Sequence, residues 1–162
     1  MNRTRKLVTA GFFVALSVIF NSFIVFPIGI AKVAPVQHLM NVIAAVWLGP
    51  GYALACAFVT SVIRNMMGMG SILAFPGSMV GALLAGLAYQ RSKKISLTVC
   101  GEVVGTGILG AILAALIAVP FFGKEMTLFV FLPSFFISSL VGAVIAGILL
   151  KALEKRGLLD KR

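Results

Sequence analysis

Acidic side chains are nearly missing from this chain. Four carboxylates, Glu102, Glu125, Glu154 and Asp160, stand against fourteen lysines and arginines in 162 residues. One histidine, one tryptophan and two cysteines complete the short list of groups with special chemistry. So few acids leave no carboxylate pair at a useful acid–base spacing. The lone His38 has no Ser, Cys or Asp partner in a nucleophile motif. A metal site needs more His, Cys or carboxylate ligands than the polar residues supply. Cys56 and Cys100 both lie in apolar runs without ligand or redox spacing, and read as small apolar fillers. Long polar stretches are missing as well, so no nucleotide-binding domain fits. The expectation is a protein that is not an enzyme and holds no cofactor and no metal.

What is present is hydrocarbon. Sixty per cent of the residues are hydrophobic and the mean hydropathy is +1.11, far beyond a soluble domain. The whole chain, 1–162, is expected to form one transmembrane substrate-binding domain. The net charge of +10 does not point to nucleic acid, because the basic residues are not gathered into one stripe. Arg3, Arg5 and Lys6 precede the first apolar run; Arg91, Lys93 and Lys94 fill a turn; Lys151, Lys155, Arg156, Lys161 and Arg162 form the tail. Only Lys32, Arg64 and Lys124 fall on the other side. By the positive-inside rule both termini are cytoplasmic. The first run, 7–26, is longer than a signal-peptide core and reads as a signal anchor, although Gly29-Ile30-Ala31 is weakly cleavage-like.

Proline and glycine divide the chain into an all-α bundle of six expected helices: 7–26, 35–48, 52–66, 78–90, 95–119 and 126–153. Pro35 suits a first helical position, and Gly49-Pro50-Gly51 is a strong turn signal. Helices two to four are then only about 20–23 Å long, short of a full span of about 30 Å. The loops 27–34 and 67–77 are left to cover a recess, which is expected to be an outward-facing pocket. A re-entrant hairpin of helices two and three is the topological alternative, with the same orientation. Trp47, Tyr52 and Tyr89 fall near inner helix ends, as interface anchors do.

The polar residues that remain are concentrated. Gln37, His38 and Asn41 lie at the outer end of helix two, and Arg64 and Asn65 at the outer end of helix three. Phe75 and Ser78 flank the Pro76-Gly77 turn. Polar groups are expensive in lipid, so their collection there points to a site. Neutral donors and acceptors, an imidazole, a cation and an aromatic ring suit a small heteroaromatic ligand. The plainer reading has Arg64 snorkelling to headgroups and His38 capping a helix. Glu102, two turns into helix five, is expected to pair with Lys94 or Arg91 at the inner face, far from the outer cluster, with a polar-interior role as its alternative. Glu125 is expected to form a solvated pair with Lys124. Small-residue stripes occur at Gly11/Ala15, at Gly107/Ala111, along Gly110, Ala114 and Ala118, and at Gly142/Ala146. They allow close helix approach. Most are assigned to internal packing, and the first to a partner.

The segments KVAPVQHLMNVIAAVWLGP, SVIRNMMGMGS and LAFPGSMVGALLAGLAY resemble the S components of energy-coupling factor (ECF) vitamin transporters, and most closely the ThiW family. That resemblance implies six helices and a loop-covered outer pocket for the thiamine precursor hydroxyethylthiazole. It further implies a transmembrane coupling subunit and two cytoplasmic ATPase subunits as partners, and a substrate-loaded subunit that topples in the membrane. A first-helix docking motif of Ala-x-x-x-Ala type maps onto Gly11 and Ala15, with Gly in the first place. Thiamine itself, a pyrimidine precursor or another vitamin are the alternative ligands. An accessory membrane subunit without a solute site is the alternative class.

Overall fold

The computed structural model describes residues 1–28, 31–122 and 128–159. Helix α1 (Arg3–Phe23) is capped by Asn2, whose side-chain oxygen accepts from the Arg5 amide at 3.3 Å. An antiparallel hairpin of β1 (Phe26–Ile28) and β2 (Ala31–Val33) follows, with Phe26 opposite Val33. Next come α2 (Pro35–Leu48), α3 (Pro50–Met66) and α4 (Ala74–Ser92). Helix α5 (Ile95–Glu102) runs without a break into a π-helical stretch (Val103–Gly110) and then α6 (Ala111–Phe122). Helix α7 (Leu128–Lys155) ends the bundle. Counting the α5–α6 rod once, the described residues form six helical rods. Three of these are long and apolar enough to cross a bilayer: Arg3–Phe23, Ile95–Pro120 and Phe131–Lys155.

Two boundaries differ from expectation for physical reasons. Residues 27–34 are not a plain loop, because Phe26–Ile28 and Ala31–Val33 pair as short antiparallel strands, for which aromatic and β-branched residues such as Phe26, Ile28 and Val33 are suited. Helix α4 starts at Ala74, so Phe75, Pro76 and Gly77 are helical. Proline there lies in the first turn, where its missing N–H would have had no intrahelical partner. With 17 and 19 residues, α3 and α4 reach about 26–28 Å, so they are less short than 52–66 and 78–90 implied. Gly29, Ile30, Lys124, Glu125, Asp160, Lys161 and Arg162 lie outside the described residues, and with them the expected Lys124–Glu125 pair and the last tail charges.

Close backbone contact holds the centre together. Gly77 and Gly81 on α4 meet Gly110 and Gly105 on the π stretch; a Cβ on Gly105 would sit 2.6 Å from the Gly81 Cα. The two partner glycines are five residues apart, the hydrogen-bond step of a π-helix. On the opposite flank α7 lies against α2, with Gly142 against the α2 backbone and Ala143 and Ala146 fully buried. Ala111, Ala114 and Ala118 are buried beside Phe131. Gly11 and Ala15 behave differently: both are exposed on α1, and a Cβ on Gly11 would meet nothing within 4 Å.

The N-terminus, the α2–α3 turn, the end of α4 and the tail converge at one end of the bundle. Arg5, Lys6, Trp47, Tyr89, Gln90 and Lys93 are among the residues lining a cavity of about 580 Å³ there. Lys6 lies over the Tyr52 ring at 5.6 Å and Lys93 over Tyr89 at 5.7 Å. Trp47 is partly exposed and packs near Phe13. Tyr89 is more than an anchor, since its body is buried with Met40, Ile43, Ile95 and Leu150.

Candidate functional site

Helix α2 is enclosed by α1, α3, α4 and α7. Ten of its fourteen residues are buried, so its polar side chains have nowhere to turn but inward. Gln37 and Asn41 share a face at i, i+4, and His38 lies beside them. Buried amides and imidazoles must find partners there, because an unmet hydrogen-bonding group costs about 1–3 kcal/mol.

They find one another in a continuous network. The Arg64 guanidinium donates through Nη1 to Gln37 Oε1. Gln37 Nε2 donates to Ser61 Oγ at 3.0 Å, and Ser61 Oγ is 3.1 Å from Ser78 Oγ. Asn41 Nδ2 donates both to the Ser78 carbonyl (3.2 Å) and to Glu102 Oε1 (3.0 Å). Two further groups reach the same carboxylate oxygen: His38 Nδ1 at 2.8 Å and Thr106 Oγ1 at 3.0 Å. The Thr106 hydroxyl is also 3.1 Å from the Gly77 carbonyl. Gln37, His38, Asn41, Ser61, Arg64, Ser78, Glu102 and Thr106 are all buried. Glu102 is completely so.

The position of Glu102 overturns the expected inner-face pairing with Lys94 or Arg91. Asn41 lies seven residues before Leu48 at the end of α2, and Glu102 seven residues after Ile95 at the start of α5. Both helices leave the basic end, so the two side chains stand at the same height, about 10 Å in. The cluster therefore extends to mid-depth, and Glu102 belongs to it. Gly81 makes the room: a Cβ there would come within 2.9 Å of Glu102 Oε2 and collide with Thr106 Oγ1.

The other expected site residues divide into two groups. The structure brings Gln37, His38, Asn41, Arg64 and Ser78 together, and Arg64 is buried, not snorkelling. Asn65 bonds back to its own helix, Nδ2 to the Ser61 carbonyl at 2.8 Å, and packs against Gly70. Phe75 is half-buried and meets Phe58 edge-on at 6.0 Å, a contact directed to α3. Sequence reasoning missed Ser61, Glu102 and Thr106. The available signal for the last two was their i, i+4 spacing, which sets an acid and a hydroxyl on one face of an otherwise apolar helix.

Three buried polar atoms have no partner among the described residues: Glu102 Oε2, Arg64 Nε and Asn21 Oδ1. Two of the three belong to this network. The arrangement offers hydrogen bonds of both signs in an apolar bundle, with one carboxylate and one guanidinium at its two ends. Such a set suits recognition of a small polar molecule.

Comparison with known proteins agrees with this architecture. The family model described as "Thiamine-precursor transporter protein (ThiW)" matches residues 7–156. A solved structure described as the S component of a bacterial ECF transporter has a similar fold. The TM-score is 0.68 at 17% sequence identity, over 96% of each chain. No curated protein matches the chain.

Proposed function

Since the chain belongs to the thiamine-precursor transporter family, ThiW, we propose that it is the membrane substrate-binding subunit of an ECF-type importer for the thiamine precursor hydroxyethylthiazole. The observation that carries this reading is the buried network running from Arg64 to Glu102 across four helices. A bundle this apolar has no structural need for eight linked polar side chains. The ligand is a neutral heteroaromatic alcohol and needs few hydrogen bonds. Gln37, His38, Asn41, Arg64 and Ser78 supply these, while Asn65 and Phe75 shape the loop above.

The single domain 1–162 sits with both termini in the cytoplasm, so that the basic end faces inward. Its outward-facing pocket opens beneath the hairpin and residues 67–73. Substrate enters there from outside. A transmembrane coupling subunit docks on Gly11 and Ala15, and two cytoplasmic ATPase subunits drive the toppling that delivers substrate inside. The energy for that step comes from those partners.

The test is calorimetry of the purified protein against hydroxyethylthiazole, its phosphate, thiamine and a pyrimidine precursor. Micromolar or tighter binding of the thiazole alcohol, and weaker binding of the others, is the expected result. Binding of thiamine or the pyrimidine in its place would reassign the substrate within the same class. Absence of binding by all four would favour an accessory subunit without a solute site.

A further inference from the structure

His38 and Glu102 form an oriented pair at the core of the network. His38 Nδ1 lies 2.8 Å from Glu102 Oε1, which also receives Asn41 and Thr106. A neutral His38 that donates to this carboxylate oxygen carries its proton on Nδ1 and leaves the lone pair on Nε2. Glu102 is fully enclosed while the His38 side chain keeps 9% of its surface open. The imidazole is thus the reachable member of the pair, and the carboxylate lies behind it. Arg64, the cation of the network, stands at its other end, where Nη1 donates to Gln37 and Nε has no partner among the described residues.

We propose that Glu102 is the positioning and specificity residue of this site, holding His38 as a hydrogen-bond acceptor for an alcohol and excluding the alcohol's phosphate ester. The proposal rests on the substrate-binding reading given above. A hydroxyl donates to the Nε2 lone pair. A phosphomonoester at neutral pH is largely without a proton to donate and carries close to two negative charges. Its charge would stand roughly 8 Å from the carboxylate across the imidazole ring. At an effective dielectric of about 20, each unit charge at that distance weakens binding about thirtyfold.

Two substitutions separate the two parts of this role. Glu102→Gln keeps an oxygen to accept from His38 Nδ1 but removes the charge. Glu102→Leu removes both. For the wild type, calorimetry should show at least a thirtyfold preference for hydroxyethylthiazole over its phosphate. Glu102→Gln should bind the alcohol within about threefold of wild type, with the preference reduced at least tenfold. Glu102→Leu should lose alcohol affinity tenfold or more. His38 is the only histidine, so nitrogen NMR of histidine-labelled protein, purified without a histidine tag, reads its tautomer directly. The Nδ1-protonated form is expected in wild type and Glu102→Gln, and a shift towards the Nε2-protonated form in Glu102→Leu. An undiminished preference in Glu102→Gln, or an Nε2-protonated His38 in wild type, would overturn the proposal even if Glu102→Leu failed to fold. Preferential binding of the phosphate by wild type would overturn it as well, while leaving the transporter-subunit reading in place. Failure of the wild type to bind any thiamine precursor would refute both.

Discussion

Gly81→Ala is the most direct probe of how the site is built into the fold. A single methyl group at this position meets three obstacles: Thr106 Oγ1, Glu102 Oε2 at 2.9 Å and Glu102 Cδ at 3.0 Å. Both contacted side chains are buried and held by other hydrogen bonds, so neither swings away freely. Separating the helices is no easier, because a Cβ on Gly105 would already lie 2.6 Å from Gly81 Cα and the Gly77–Gly110 contact is equally close. Overpacking of this kind costs about 1–3 kcal/mol. For a chain of this size that corresponds to a loss of roughly 2–12 °C in the unfolding midpoint. Because the displaced atoms belong to Glu102 and Thr106, the affinity for ligand should fall together with stability. Thermal unfolding in detergent, with and without hydroxyethylthiazole, reads both. Gly11→Ala is the matched control, since its Cβ meets nothing, and should leave both unchanged. A Gly81→Ala protein with the wild-type midpoint and affinity would refute the packing argument.

Other perturbations separate stability from assembly. Gly49 has φ of +88° and ψ of 176°, a conformation that only glycine adopts readily, so Gly49→Ala should cost about 1–3 kcal/mol in thermal unfolding. Ligand affinity of the folded fraction should stay at the wild-type value. Arg64→Met leaves Gln37 Oε1 without its donor and should destabilise by about 1–3 kcal/mol; the Arg64→Met/Gln37→Met pair should cost less than the two single changes summed. Unfolding of the four proteins of that cycle checks this. Gly11→Leu should retain ligand binding, because no internal neighbour is struck, yet fail to co-purify with the coupling subunit. Equal recovery of the assembled transporter would remove α1 as the docking face.

Much of the helical order was legible in the sequence because proline and glycine mark it. Helix α2 runs from Pro35 to Leu48, as read, since a first-turn proline and a Gly-Pro-Gly turn bound it on both sides. The start of α4 was not legible, because Pro76 signals a loop end as readily as a first helical turn. Nor was the π stretch: Val103–Gly110 has the composition of an ordinary transmembrane segment, and only its contacts with Gly77 and Gly81 explain the wider winding. The site was half legible. The clustering of Gln37, His38, Asn41, Arg64 and Ser78 follows from polarity alone. Glu102 was misplaced because depth was judged from its own helix end, without setting it level with Asn41 on the neighbouring helix.

The completeness of the network bears on why it exists. Apolar side chains of similar volume would stabilise a bundle at least as well as a buried carboxylate and guanidinium, whose desolvation is only partly repaid by their partners. Stability therefore does not account for Arg64 and Glu102 at the two ends of one chain of hydrogen bonds. Their remaining atoms sharpen the point. Eight contacts link its members within the protein, yet among the described residues Glu102 Oε2 and Arg64 Nε are left without partners. A closed structural network would have used them. One built to receive a guest keeps its donors and acceptors fixed in position, so that little ordering remains to oppose binding. The π stretch fits the same logic, because it draws the Glu102–Thr106 face against a bare α4 backbone and holds the carboxylate behind His38 before any ligand arrives.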